Sequence, residues 1–549
     1  MKAPERLFDL LEYQLKNFPK PDALAYKSDD VWNTYSTERF YEISNDIALG
    51  LYALGVRKGD TVANITENNR PIWNFLDTGI QSIGGVHVAI YPNLTVEEYK
   101  FILNDAGVKV IFVSSEALYN TIMSIMPEVP SLTAIYTYDV VEGAKNWQDV
   151  ELLGKTGDPK LLDQLKAQVT SSDLATLIYT SGTTGMPKGV RLTHRNLISN
   201  CLAGSVRMKS HPGERSLSFL PLCHSLERIV VYMCIYQGCS IYYAQNITTV
   251  GDDLKEVKPN IFATVPRMLE KVYDKIVSKG NELKGIKHVL FNWSLGLGLK
   301  YDPDQNQGVL YNLQLSLANK LVFPKWREAL GGNVRAIISG GAALQPRLAR
   351  LFWAAGIPVL EGYGLTETSP VIAVNFLDKG FFKIGSVGTV IDGGEVKIAE
   401  DGEILYRGPN VMEGYHNRPD LTAEMIDKDG WLHTGDIGEY DGRFLKITDR
   451  KKELFKTSGG KYVAPQVIEN KMKESRFIEQ IMVIGEGRKF PAALIVPNFL
   501  YMKAYCEHKG IGYTNNEEVV CNDLIKQRID DHIKKYNANF APYMQIKKY

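Results

Sequence analysis

Along most of the chain, short apolar runs alternate with stretches in which apolar residues recur at helical spacing. Four runs read as strands that feed polar or glycine-rich loops: Val108–Val113, Ile261–Val265, Val334–Ser339 and Ile357–Leu360. Strands that alternate with helices are typical of parallel, doubly wound sheets, which bind ligands at the carboxyl ends of their strands. The pattern predicts an α/β fold whose large N-terminal part contains two doubly wound α/β subdomains.

The pattern changes near Ile384. From there to Ile447 glycines recur every few residues and short β runs lie between them, which predicts a small antiparallel β-barrel or sandwich packed on the α/β body. After Asp449 the sequence resumes as a compact α+β unit. We therefore predict an N-terminal domain over residues 1–448, with its β-rich subdomain at about 384–447, and a small C-terminal domain over residues 449–549.

Composition narrows the class of protein. The 549 residues contain 63 Lys and Arg against 63 Asp and Glu, and this balance gives no sign of nucleic-acid binding. Six cysteines without a CxxC pair predict buried or free thiols in a reducing compartment. The longest uncharged stretch, Ile229–Ala244, is too short and interrupted for a membrane span and predicts a buried helix followed by a strand. We expect a soluble, cytoplasmic protein; peripheral membrane contact remains open.

The segment Tyr179–Gly189 suggests the chemistry. It follows the apolar run Leu174–Tyr179, a predicted buried strand, and combines hydroxyl side chains with three glycines and Lys188. Such a loop can cradle phosphate oxygens with its backbone while the lysine adds positive charge. It is not a Walker A motif, because Pro187 precedes the lysine and Gly189–Thr193 reads as a second strand. We predict a strand–loop–strand nucleotide site; the alternative is a flexible surface turn.

Four further segments agree with a nucleotide site: Ser339–Ala343, Glu361–Thr368, Trp431–Asp436 and Asp449–Lys456. The first offers flat backbone beside which a purine can lie. The second follows a strand and supplies Tyr363 for stacking and Glu367 as a hard oxygen ligand for Mg²⁺. The third places Asp436 in a turn, where its carboxylate can hold both ribose hydroxyls. Each segment alone has an ordinary alternative as a turn, a cap or a solvated charged face.

With these motifs in this order, the sequence resembles the adenylate-forming enzymes, a family that includes acyl-CoA synthetases, luciferases and nonribosomal adenylation domains. The resemblance covers nearly the whole chain. It rests on the phosphate loop Tyr179–Val190, the YGxTE motif Tyr363–Thr368, the TGD motif Thr434–Asp436 and the hinge segment Asp449–Lys452. Within the family the chain is most similar to long-chain fatty acyl-CoA synthetases, through Pro221–Arg228, Val265–Tyr273 and Asp449–Leu454.

The resemblance implies a ligase that uses ATP and Mg²⁺ to convert a fatty acid into acyl-AMP with release of pyrophosphate, and then transfers the acyl group to coenzyme A. The implied ATP or AMP contacts are Thr180, Ser181, Gly182, Thr183, Thr184, Gly185, Lys188, Gly341, Ala342, Glu361, Gly362, Tyr363, Gly364, Thr366, Asp436 and Arg450. The implied catalytic residues are Lys188, Thr184, Glu367 and His224, of which Thr184 and Glu367 would hold Mg²⁺.

Two residues carry further implications of the resemblance. His224 falls where the family places an imidazole or aromatic group beside the incoming carboxylate; the alternative is a structural histidine near a strand end. Lys452 falls at the hinge about which the small, mobile C-terminal domain rotates between the half-reactions. The implied partners are the fatty acid and coenzyme A, and a homodimer is open.

The acyl site and the acceptor are less defined. The helical stripe Tyr232, Met233, Ile235 and Tyr236 either lines an apolar tunnel or belongs to the core.

Lys547 and Lys548 follow a helical region and read as helix-surface charges, not as the family's catalytic C-terminal lysine, so a chain that is incomplete at this end is expected. The alternatives are a fatty acyl-AMP ligase that serves a carrier protein, a luciferase-like oxygenase and a non-catalytic nucleotide and acyl binder.

Overall fold

The computed structural model describes residues 3–180, 186–303 and 307–549. Its strands are β1 (Leu24–Ser28), β2 (Val31–Tyr35), β3 (Thr61–Ile65), β4 (Val86–Ile90), β5 (Val110–Val113), β6 (Ala134–Thr137), β7 (Lys145–Asn146), β8 (Leu174–Thr180), β9 (Lys188–Thr193), β10 (Arg215–Ser218), β11 (Ser240–Tyr243), β12 (Ile261–Thr264), β13 (Ala336–Ser339), β14 (Val359–Gly364), β15 (Val371–Val374), β16 (Thr389–Val390), β17 (Glu395–Ile398), β18 (Glu403–Arg407), β19 (Gly414–Tyr415), β20 (Leu432–Asp441), β21 (Phe444–Arg450), β22 (Phe455–Lys456), β23 (Tyr462–Val463), β24 (Ile478–Ile484) and β25 (Ala492–Pro497).

The α-helices are α1 (Asp9–Asn17), α2 (Thr37–Ala53), α3 (Pro71–Ser82), α4 (Val96–Asp105), α5 (Glu116–Ile125), α6 (Trp147–Gly154), α7 (Pro159–Ala167), α8 (His194–Met208), α9 (Ser225–Gln237), α10 (Val250–Val257), α11 (Pro266–Asn281), α12 (Ile286–Leu299), α13 (Gly308–Leu321), α14 (Pro324–Ala329), α15 (Pro346–Ala354), α16 (Pro419–Met425), α17 (Pro465–Met472), α18 (Phe499–Lys509), α19 (Asn516–Cys521) and α20 (Asp523–Asn537). Short 3₁₀ helices occur at Met126–Glu128, Thr366–Thr368 and Pro542–Met544.

Two mainly parallel sheets form the body, as the alternating pattern predicts. The eight-stranded sheet runs β19-β9-β8-β4-β3-β5-β6-β7 and the nine-stranded sheet runs β16-β15-β14-β13-β12-β10-β11-β1-β2. Among the described strands, the antiparallel ones lie towards the edges: β9 and β19 in the first sheet, and β2, β15 and β16 in the second. Helices join the parallel strands, so these carry apolar residues on both faces and read as continuous apolar runs.

Helix α9 links the two sheets. It begins at Ser225, contacts β10, β11 and β12 of the nine-stranded sheet, and sends the Arg228 side chain to Thr176 on β8 of the other sheet. Ser225–Gln237 followed by β11 confirms the buried helix and strand expected for Ile229–Ala244. The N-terminus of α9 is therefore held at the junction of the sheets.

The glycine-rich region forms a four-stranded antiparallel sheet in the order β17-β18-β20-β21. Its core, which includes Ile404, Tyr406 and Leu445, packs on Ile372 and Ala373 of β15. Residues after β21 form a separate α+β core around the β24–β25 hairpin. Arg267 on α11 forms a 2.5 Å ion pair with Glu479 on β24, which ties this unit to the body.

Several local expectations are refined by the structure. All six cysteines are free thiols; five are buried and Cys521 is exposed. The prediction that Lys547 and Lys548 lie on a helix surface is wrong, because Lys548 pairs with Ala492 in an extended segment beside β25. Among the helices that the structure describes, none is both long and apolar enough to cross a membrane.

Candidate active site

The predicted phosphate loop connects two paired strands. Thr180 ends β8 and lies opposite Lys188, the first residue of the antiparallel strand β9. The predicted buried strand before the loop and the predicted second strand after it are thereby confirmed. Ser181, Gly182, Thr183, Thr184 and Gly185, which carry much of the predicted phosphate and metal contact, lie outside the described residues. The strand pairing fixes the two ends of the loop and brings Lys188 next to Thr180.

Lys188 and Glu367 meet at Tyr415. The Tyr415 hydroxyl donates to Glu367 Oε1 at 2.6 Å, and Lys188 Nζ lies 5.1 Å from the centroid of the Tyr415 ring. Tyr415 is held there because β19 pairs with β9 opposite Val190. Burial and the adjacent carboxylate raise the pKa of Tyr415, so its hydroxyl remains a donor. A cation and a carboxylate that are far apart in sequence therefore share one tyrosine.

Tyr363, Asp436 and Arg450 form a second group. The Tyr363 hydroxyl donates to Asp436 Oδ2 at 2.6 Å, and Arg450 Nε lies 3.6 Å from Asp436 Oδ1. Asp436 and Arg450 are opposite partners in the β20–β21 pairing. Burial raises the pKa of Asp436, although the Tyr363 hydroxyl and the Arg450 charge act against that rise. The two side chains are therefore neighbours, and that they grip one ribose together stays a prediction.

Two positional predictions are wrong. Glu361, Gly362, Tyr363 and Gly364 do not follow a strand but complete β14 itself, because β15 returns beside them as an antiparallel partner. Asp436 does not lie in a turn but inside the ten-residue strand β20. Both segments contain glycines, which are common in turns and are also tolerated inside strands where another backbone approaches closely. In β14, Gly364 is needed for close approach, since a Cβ there would lie 1.7 Å from the Pro370 carbonyl oxygen.

The predicted adenine residues lie at the carboxyl ends of neighbouring strands. Gly341 and Ala342 follow β13, and Gly341 has a φ of +80°, which favours glycine. Glu361 lies opposite Ser339 in the parallel β13–β14 pairing. Burial raises the pKa of Glu361 to about 8, so the carboxyl is mostly protonated at neutral pH and can donate a hydrogen bond.

His224 stands at the N-terminus of α9. Its Nδ1 accepts from the Leu226 backbone N–H at 3.1 Å, which caps the helix. Burial lowers the pKa of His224 and favours the neutral ring. Since Nδ1 is the acceptor, the proton of the neutral ring is assigned to Nε2. His224 therefore has the structural role of a helix cap, and its place beside an incoming carboxylate stays a prediction.

A cavity of about 350 Å³ lies between the end of β8 and the N-terminus of α9. Thr180, Pro187, His224 and Thr366 contribute to its wall. The rest of its lining is mostly apolar and comprises Ile90, Tyr91, Leu94, Glu98, Ile102, Ile178 and Tyr179. An apolar cavity with a few convergent polar groups is typical of a small-molecule site.

The stripe Tyr232, Met233, Ile235 and Tyr236 does not line this cavity. The first three are buried in the core, and Tyr236 stacks on Tyr13 with ring centroids 5.0 Å apart. The core alternative left open by the sequence therefore holds. Tyr415, in contrast, lies in the glycine-rich region without a sequence feature that marks it as part of the site, and the β9–β19 pairing is what brings it beside Glu367.

The segment Tyr363–Glu367 contacts three separate parts of the site, namely strand β20, strand β19 and the start of helix α9. Tyr363 reaches Asp436, Glu367 reaches Tyr415, and Thr366 Oγ1 lies 3.5 Å from Ser225 Oγ at the start of α9. Within the described ranges, no group of three or more His, Cys, Asp and Glu side chains is placed to hold a metal ion.

Family comparisons agree with this geometry. Residues 11–416 match the model of the AMP-binding enzyme family, and residues 453–549 match the AMP-binding enzyme C-terminal domain. The chain belongs to the AMP-binding enzyme family, whose members use ATP to form adenylates. The resemblance that the sequence motifs indicated is confirmed.

Three curated relatives, each named as a long-chain ligase or synthetase, are similar to this chain over most of its length. Long-chain-fatty-acid–CoA ligase FadD15 of Mycobacterium bovis is 34% identical over 96% of this chain and 88% of its own length. Long chain acyl-CoA synthetase 7 of Arabidopsis thaliana, a peroxisomal protein, is 34% identical over 90% of this chain and 73% of its own length. Long-chain-fatty-acid–CoA ligase 1 of Homo sapiens is 31% identical over 95% of this chain and 78% of its own length.

Solved structures confirm the fold. The anthranilate CoA ligase AuaEII in complex with anthranoyl-AMP aligns with a TM-score of 0.74 at 20% identity, over all of this chain and 94% of that one. The o-succinylbenzoate coenzyme A synthetase of Bacillus subtilis, in complex with ATP and magnesium ion, aligns with a TM-score of 0.68 at 22% identity. The alignment covers 98% of this chain and 94% of that one.

Proposed function

We infer that this protein is an AMP-forming long-chain fatty acid–CoA ligase. The observation that carries the inference is the convergence of Thr180, Thr366 and His224 on one largely apolar cavity, beside Lys188 and Glu367. Relatives with 31–34% identity over most of the chain bear the name of this activity. Their names and the site chemistry point to the same reaction.

In the first half-reaction the fatty carboxylate oxygen bonds to the α-phosphorus of ATP, and the bond to the pyrophosphate oxygen breaks. Acyl-AMP and pyrophosphate result. The substrates supply the nucleophile, so catalysis depends on positioning and on neutralising charge. Lys188 supplies positive charge on the pyrophosphate side, Thr366 lies at the α-phosphate, and His224 Nε2–H faces the incoming carboxylate in this assignment.

Magnesium fits the donor set at Glu367. Among the described residues this carboxylate has a phenolic donor in Tyr415 but no ion pair, and a hard oxygen of this kind suits Mg²⁺ when phosphates supply the other ligands. Glu367 would hold the ion, with Thr184 as the second predicted ligand. When bound, the ion neutralises charge on the phosphates.

Asp436 is assigned to the ribose, and its removal is expected to weaken ATP use. Asp436→Ala should raise KM for ATP and lower kcat/KM for ATP at least tenfold, about 1.4 kcal/mol, because the lost carboxylate holds both hydroxyls. Steady-state kinetics with varied ATP measures this. Tyr363→Phe, which removes only the phenol that donates to Asp436, is the matched control and should lose less. Equal kinetics for Asp436→Ala and the unmodified enzyme would remove Asp436 from the ribose site.

Lys452 is proposed as the hinge. It lies in the turn directly after β21, where Glu453 and Leu454 donate to the Arg450 carbonyl. Lys452→Pro is expected to slow thioester formation more than adenylation, because proline fixes φ and hinders rotation of the small domain. Single-turnover measurement of acyl-AMP formation and of its transfer to coenzyme A separates the steps. Lys452→Ala, which keeps the backbone free, should affect neither strongly. An equal loss of both steps in Lys452→Pro contradicts the hinge.

Product analysis identifies the acceptor of the acyl group. With ATP, palmitate and coenzyme A, mass spectrometry is expected to detect palmitoyl-CoA and AMP. A fatty acyl-AMP ligase would instead accumulate acyl-AMP until a carrier protein is supplied, and a non-catalytic binder would leave ATP intact. The cytoplasmic location and the homodimer stay predictions from the sequence.

A further inference from the structure

Helix α13 carries an unusual outer face. Five of its apolar side chains are largely exposed, and they are Val309, Leu310, Leu313, Leu317 and Leu321. At 3.6 residues per turn these positions fall within an arc of about 120°. The opposite face packs on the core of the nine-stranded sheet through Tyr311, Leu315, Ala318 and Val322. Since the helix already has a complete inner face, its outer stripe is not required for folding.

The neighbouring helix α12 extends the apolar character. It contacts α13, and its first turn exposes Ile286 and Val289. Tyr311 on α13 donates to the Leu297 carbonyl oxygen on α12 at 2.9 Å, which fixes the two helices together. The exposed apolar residues therefore lie on a rigid pair of helices, and large exposed apolar side chains grouped in this way mark an interaction surface.

The charges on this helix pair are all positive. The two helices hold 14 residues each, and neither contains Asp or Glu, although the chain has 63 such residues. Lys287 and Lys320 lie within the helices, and Lys284 and Lys300 flank α12, with Glu282 and Asp302 two residues further out on the two sides. Lys320 is exposed on the same side as the apolar stripe. Within the two helices, apolar side chains accompanied by lysines and by no carboxylate suit an anionic surface.

The size of the stripe argues against a second protein chain. A helix of 14 residues is about 21 Å long and about 10 Å across, so its exposed side covers on the order of 200 Å². Stable protein interfaces bury about 800 Å² on each partner. A bilayer makes no such demand, because a helix that lies in the interface inserts only its apolar side chains among the acyl chains.

We propose that the outer face of α13, with the first turn of α12, docks the protein on the surface of an anionic phospholipid bilayer. Leu310, Leu313 and Leu317 enter the acyl region while Lys320 and Lys287 stay with the headgroup phosphates. The docking goes beyond the proposed ligase activity and does not depend on it. Its consequence for a ligase would be direct access to long-chain acids, which partition into bilayers.

Vesicle co-sedimentation tests the docking without ATP or turnover. The full chain is expected to bind vesicles of equimolar phosphatidylcholine and phosphatidylglycerol more strongly than vesicles of phosphatidylcholine alone. Leu313→Gln with Leu317→Gln should weaken the partition coefficient at least tenfold, and Lys320→Glu should reduce the preference for anionic vesicles. Thermal unfolding shows that each variant remains folded.

A matched control comes from the C-terminal unit. Leu500 and Leu524 are 83% and 62% exposed, against 64% and 47% for Leu313 and Leu317. Leu500→Gln with Leu524→Gln should leave vesicle binding unchanged. The proposal is overturned if the unmodified protein does not bind, or if both double variants lose binding equally. It is also overturned if the protein does not bind vesicles and sedimentation velocity instead shows a dimer that dissociates only when Leu313→Gln and Leu317→Gln are introduced. Pyrophosphate release with octanoate, measured separately, reports on the ligase activity alone.

Discussion

Arg228→Ala is expected to lower the free energy of unfolding by about 3–5 kcal/mol, because it leaves a buried carboxylate without its cation. Arg228 and Asp77 are almost fully buried. Arg228 Nη2 lies 2.5 Å from Asp77 Oδ1, and Arg228 Nη1 donates to Thr176 Oγ1 at 2.7 Å. His87 Nδ1 also lies 2.6 Å from Asp77 Oδ1. Chemical denaturation followed by fluorescence measures the loss.

The same substitution should disturb the site. Arg228 lies one turn into α9, and its backbone N–H donates to the His224 carbonyl at 3.2 Å. Burial alone raises the pKa of Asp77, but the Arg228 charge and His87 bring it below its usual value, so the pair is ionised at neutral pH. A loosened α9 would displace His224, so turnover is expected to fall with stability.

Two comparisons isolate the buried pair. Lys325→Ala, which removes an exposed lysine from its pair with Glu328, should cost less than about 1 kcal/mol. Arg228→Met combined with Asp77→Leu should destabilise less than the two single changes added together, because no charge is left unpaired. Additive losses, or an Arg228→Ala protein as stable as the parent, would refute the account of this pair.

Glu367→Ala is expected to lower kcat/KM for pyrophosphate release about 100-fold or more, about 2.7 kcal/mol, because a group that organises charge at the phosphates is lost. Pyrophosphate release with palmitate and ATP, measured over a range of magnesium concentrations, detects the change. The half-saturating magnesium concentration should rise. Stability should change little, since the Glu367 side chain is only partly buried.

The control for Glu367 is Tyr415→Phe, which removes the donor at 2.6 Å but keeps the carboxylate. It should lose several-fold less activity than Glu367→Ala and respond less to magnesium. Near-normal pyrophosphate release by Glu367→Ala would exclude Glu367 from the metal and phosphate site. Equal losses in both variants would indicate that Glu367 acts only by positioning Tyr415 and β19.

The sequence predicts the two doubly wound subdomains and the phosphate hairpin because periodicity reports directly on buried strands. Leu174–Tyr179 and Ile229–Ala244 are apolar over the length of one element, and the structure has a strand and a helix–strand unit there. Motif order then predicts which loops share the site. The positions of Glu361 and Asp436 were wrong because strands β14 and β20 pair with β15 and β21, and such pairing is a tertiary property.

Some parts of the site have no local signal. Tyr415 reaches Glu367 only because β19 pairs with β9, across more than 200 residues of chain. The Arg228–Asp77 pair joins α9 to α3, and neither sequence segment indicates the other. The domain boundary near residue 449 and the hinge at Lys452 also remain predictions, because they concern motion between states.

The most direct test of the central claim is pyrophosphate release with a series of carboxylic acids from acetate to oleate, with and without coenzyme A. The account predicts strong release with long chains, increased by coenzyme A because the acyl-AMP is consumed. No release with any acid, while ATP still binds, would contradict the proposed ligase activity and would favour a binding protein.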